Sequence, residues 1–119
     1  MYALALYNED EHTLTLVRDR LGVKPLYWAR LANGGIVFAS EIKPILVSGL
    51  ISPDIDQAAV DSYLTYGYIP APLTLFKGIR KLPPAHRLMV VANGEERLER
   101  YWFPTPRPET SDHDDKLLA

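Results

Sequence analysis

Arg18-Asp19-Arg20-Leu21-Gly22-Val23-Lys24-Pro25-Leu26-Tyr27-Trp28 is the stretch whose reading decides the fold, and Phe38-Ala39-Ser40-Glu41-Ile42-Lys43 follows it closely. A strand runs into charged residues, turns at a glycine, is stiffened by a proline and leaves as a second, aromatic strand. Charges set between apolar strands are costly to bury unless they are paired. The pattern therefore predicts a specified polar network at a turn rather than a generic loop.

Working outward from that turn, Tyr2 to Tyr7 and Thr13 to Val17 flank the polar Asn8-Glu9-Asp10-Glu11 and read as an antiparallel hairpin. Met1-Tyr2-Ala3-Leu4-Ala5-Leu6 has almost no polar side, so this first strand is expected to be buried on both faces, with further chain before it. Leu26 to Leu31 and Ile36 to Ala39 form the next hairpin, because Ala32-Asn33-Gly34-Gly35 supplies residues that accept positive φ. Ser40 is expected to cap a short helix over Ile42 to Val47 that Ser48-Gly49 stops. Asp56 caps a second helix, about Gln57 to Thr65, whose Ala59, Val60, Tyr63 and Leu64 fall at helical spacing and which Gly67 ends. Tyr68 to Pro84 reads as a proline-punctuated excursion. Arg87 to Ala92 and Arg97 to Trp102 make a last hairpin turning at Asn93-Gly94. The fold class is thus α+β, with antiparallel hairpins and two central helices.

The composition narrows the function. The 119 residues are 47% hydrophobic and 24% charged, enough for one modest domain with a core. A net charge of −2 gives no electrostatic case for nucleic acid or an anionic membrane. No apolar run approaches the roughly 20 residues that span a bilayer, and no basic start or cleavage site suggests a signal peptide. There is no cysteine, hence no disulfide, no thiolate metal site and no thiol nucleophile. A cytoplasmic setting fits that composition. The ten prolines mark turns and, from Pro104 to Pro108, a linker.

The polar candidates are weighed one by one. His12 lies in a turn, His86 enters a strand behind Pro83-Pro84-Ala85, and His113 stands among acids in the tail; the three share no ligand spacing, so no metal site is expected. Ser40 beside Glu41 lacks a histidine placed to activate it. Asp19 between Arg18 and Arg20 reads as an ion-paired carboxylate of lowered pKa rather than a general base. Tyr63, Tyr66 and Tyr68 read as core and rim, though a binding platform is the alternative. No catalytic, cofactor or metal residues are assigned. Arg18, Asp19, Gly22, Lys24, Pro25, Ser40, Glu41 and Lys43 are assigned as a structural motif, with Asp19 and Glu41 as partners for nearby cations.

Taken with Ala3-Leu4-Ala5-Leu6-Tyr7, Gly67-Tyr68-Ile69-Pro70-Ala71-Pro72 and Phe76-Lys77-Gly78-Ile79-Arg80-Lys81-Leu82-Pro83-Pro84, these motifs resemble the glutamine amidotransferase domain of glutamine-dependent asparagine synthetases. The resemblance runs from residue 1 to about 103. It implies part of a four-layer αββα N-terminal-nucleophile hydrolase fold: 1–103 a partial class II amidotransferase domain, 104–119 a linker toward a synthetase domain. The family hydrolyses glutamine with an N-terminal cysteine and passes ammonia to a domain that adenylates aspartate, using ATP and Mg. Here the cysteine is absent, Met1 falls in the middle of the family's glutaminase domain, and Ala85 replaces a usual glycine.

Three further expectations follow from the resemblance. The isolated chain holds no cofactor. It is inactive. It associates with the missing N-terminal half and a synthetase domain, or with itself as a homo-oligomer, because half a sandwich exposes more apolar surface than a monomer usually carries. The alternative reading is a degenerate, non-catalytic module kept for oligomerisation or partner binding.

Overall fold

The computed structural model describes residues 1–106. Its strands are β1 (Ala3–Asn8), β2 (Thr13–Arg18), β3 (Tyr27–Arg30), β4 (Ile36–Ala39), β5 (Ile79–Lys81), β6 (His86–Val90) and β7 (Glu96–Arg100); its helices are α1 (Ile42–Val47) and α2 (Gln57–Tyr66). Every strand pairing is antiparallel. One sheet has the order β1-β2-β6-β7 and the other β4-β3-β5. The expected α+β class with antiparallel sheets and two helices is therefore what forms.

Period-two alternation sorts the side chains into layers. From β2 and β6, Leu16, Leu88 and Val90 point inward and meet Trp28, Leu26 and Leu82 in the core between the sheets. The next residue of β3, Ala29, faces the other way and packs with Ile79 and with Ile45 of α1. β3 thus feeds two cores with adjacent residues, and α1 covers the far side of the three-stranded sheet. The layers run sheet, sheet, helix.

Local chemistry explains the helix ends and corrects one of them. Asp56 caps α2, its carboxylate accepting from the Ala58 N–H at 3.0 Å, and Gly67 closes it in the left-handed region. At α1 the cap position belongs to Glu41, not Ser40, and no side chain there bonds the helix. Pro44 sits in the first turn, where its missing N–H deprives the helix of nothing. The turn at Ser48-Gly49 ends α1 as expected.

Two other expectations are overturned. β1 is not buried on both faces: it is the outer strand of its sheet and mostly exposed, with Leu4 46% and Leu6 58% accessible. Among the described residues its apolar sequence meets no layer on the outer face and no strand beyond it. Within the supposed excursion of 68–84, Ile79–Lys81 forms β5 against β3. A three-residue strand is too short to carry a period. It is set instead by Thr74, whose buried hydroxyl bonds the Ile79 carbonyl at 2.8 Å and the Phe76 carbonyl at 3.1 Å. Smaller shifts move β6 and β7 one residue toward the N-terminus at their starts.

Gly22 is the glycine on which packing depends. Its φ is +69°, and a Cβ there would lie 2.6 Å from Pro84 Cγ. Gly34 also has positive φ, +86°, with open space around it. Gly22→Ala should therefore cost roughly 2–4 kcal/mol, the sum of strain and displacement, and Gly34→Ala only about 1 kcal/mol; urea unfolding of both variants checks the order.

Candidate functional site

Arg18 is the last residue of β2 and follows the alternation of Leu14 and Leu16, so its side chain enters the space between the sheets. The guanidinium is buried and spends its donors on three carbonyls: Nε on Lys24 at 2.8 Å, Nη1 on Leu82 at 2.7 Å, and Nη2 on Gly22 at 2.7 Å. It ties the turn of 19–25 to the residue that follows β5. A planar fork with fixed donor directions suits this task in a way that a single ammonium does not.

Asp19 points into its own turn. Oδ1 accepts from the N–H groups of Leu21 at 3.2 Å and Val23 at 3.1 Å, and Oδ2 from Lys24 at 3.0 Å and Tyr2 at 3.4 Å. Its backbone is as fully used: the N–H donates to the Tyr2 carbonyl, and the carbonyl accepts from Gly22 and Ala85. The Lys24 N–H bond, the largest influence, holds the carboxyl down near pH 2 against the opposing effect of burial, with Val23, Tyr2 and Leu21 contributing in the same direction. The lowered pKa agrees with the sequence reading, but its source does not. Among the described residues the ion pairs are Arg30–Glu96 and Arg87–Glu99, and neither Asp19 nor Glu41 is in one. Backbone amides take the role expected of arginine, because both flanking cations turn elsewhere: Arg18 to carbonyls, Arg20 to the face of Trp102, 5.7 Å from the ring centre.

Two tyrosines complete the network. The Tyr101 hydroxyl donates to the Arg18 carbonyl at 2.6 Å and lies 2.7 Å from the Tyr2 hydroxyl. Burial first, then the Tyr2 hydrogen bond, raises Tyr101 to about 12, so it stays a donor at any physiological pH. Sequence reasoning missed this pair, since the partners lie 99 residues apart and no local pattern marks them. Ala85, buried at φ +59°, gives its N–H to Asp19 and its carbonyl to Tyr101. An alanine in the left-handed region costs about 1–2 kcal/mol that a glycine would not.

Lys24, Pro25, Ser40 and Glu41 come together with Met1, Tyr2 and Ala3 around a cleft of about 480 Å³. Lys43 is exposed on α1 and does not line it. On the other side of Tyr2, a hollow of about 370 Å³ is bordered by Asp19, Arg20, Leu21 and Val23. The cleft offers a carboxylate, an ammonium and a hydroxyl, but no described hydrogen bond activates Ser40. Asp19 is a poor general base at pH 7, ionised and saturated with donors. His86 hydrogen-bonds the Pro84 carbonyl at 2.7 Å, and His12 lies 3.3 Å from the Tyr7 hydroxyl in a positive-φ turn. His113 lies outside the described residues. Among those residues, no three His, Cys, Asp or Glu could hold a metal ion, and no helix is long and apolar enough to cross a membrane. Tyr63, Tyr66 and Tyr68 are exposed rather than core.

The geometry yields two tests. Arg18→Met keeps the apolar stem and strands three carbonyls, which should cost about 3 kcal/mol in chemical denaturation. Asp19 has a folded pKa near 2 against an ordinary 3.8. Its contribution is therefore full above about pH 4 and is lost as pH falls toward 2. The melting-temperature gap between wild type and Asp19→Asn should be wide and flat above pH 5 and narrow through that window.

Residues 1–102 match the glutamine amidotransferase domain family. The glutamine-hydrolyzing asparagine synthetase 1 of Bacillus subtilis (strain 168) is 30% identical over 99% of this chain and 18% of its own length. Asparagine synthetase 3 of the same organism is 34% identical over 98% of this chain and 19% of its own length. The amidase chry2 of Gibberella zeae is 34% identical over 85% of this chain and 14% of its own length. The chain thus spans about a fifth or less of these relatives, as a piece of a larger protein would. It belongs to the glutamine amidotransferase domain family.

Proposed function

We propose that this chain is the later part of the glutaminase domain of an asparagine synthetase-like enzyme of class II type. In that enzyme, glutamine hydrolysis supplies ammonia for ATP- and Mg-dependent amidation of aspartate or a related carboxylate. The family match over residues 1–102 carries the reading. In it, residues 1–103 belong to the amidotransferase domain, residues 104–119 lead toward a synthetase domain, and the earlier half of the glutaminase domain brings the nucleophile. The sheet–sheet–helix layering supports an αββα parent: the outer face of the four-stranded sheet, with Leu4 and Leu6, is where a fourth, helical layer would sit. The clasp around Arg18 and Asp19 is then scaffold, holding the turn that borders the cleft of Lys24, Ser40 and Glu41.

A second reading, a degenerate module kept for assembly, is favoured by the lack of any cysteine. The DNA flanking the 119 codons separates the two. An in-frame Met-Cys-Gly start upstream and a Ser-Gly-Gly-x-Asp-Ser stretch downstream establish the first, and stop codons on both sides establish the second. On either reading the purified chain should release no glutamate from glutamine above the uncatalysed rate, since it has no thiol nucleophile. A coupled glutamate assay that detects turnover would overturn this.

A further inference from the structure

We draw no further inference here: the strongest candidate, the apolar hollow of about 300 Å³ that Val60 and Tyr63 of α2 line together with Ile69 and Leu75, carries nothing, because nothing in the structure shows what covers it.

Discussion

The structure depends on how two adjacent, oppositely charged side chains are satisfied at the end of β2. Arg18 and Asp19 do not neutralise each other. The guanidinium collects carbonyls from Gly22, Lys24 and Leu82, and the carboxylate collects N–H groups from Tyr2, Leu21, Val23 and Lys24. The turn that follows these two buried residues has backbone groups that neither sheet can pair, and each left alone and shielded from water would cost free energy comparable to a lost hydrogen bond. Two charged side chains of opposite sign satisfy both kinds at once. The turn can therefore carry the chain from one sheet to the other in one fixed path, although Leu21 and Val23 at its outer side stay exposed.

That arrangement organises much else. Because Arg18 reaches Leu82, the three-stranded sheet is fixed relative to the four-stranded one through a residue just past β5. Because Asp19 bonds Ala85 through its carbonyl, the start of β6 is fixed to the same point, and Tyr101 ties in the segment after β7 through the Arg18 carbonyl. Gly22 is required where Pro84 presses on the turn, so the proline pair before β6 and the glycine after β2 are parts of one contact. The clasp is a fold determinant, and its low carboxyl pKa makes it unsuited to proton transfer.

What was legible in the sequence was local. The hairpin turn at Asn33-Gly34, the Asp56 cap with its Gly67 stop, and the alternating strand β2 each carry their chemistry within a few residues. The charged turn was legible as a network because burying charge demands partners. The identity of the partners was not, since main-chain donors and acceptors have no letter in the sequence. β5 escaped because three residues carry no period, and the Tyr2–Tyr101 contact because it joins the two ends of the domain. Ser40 looked like a cap by residue type, yet the helix over Ile42–Val47 has Glu41 at its cap position, and Ser40 lines the cleft instead.

The reading of β1 failed for a different reason. An apolar strand with no polar face is written for burial. In the described chain, nothing lies beyond β1 in its sheet and nothing covers Leu4 or Leu6. The mismatch is physical information rather than noise, because a strand without charge, proline or bulge is poorly protected against further pairing. The opposite edge of the same sheet, where β7 carries two glutamates and two arginines around Leu98, has the protection that β1 lacks. A chain that guards one edge and leaves the other neutral has a direction in which it can be extended. In the proposed parent enzyme the remainder of the domain would lie on that side.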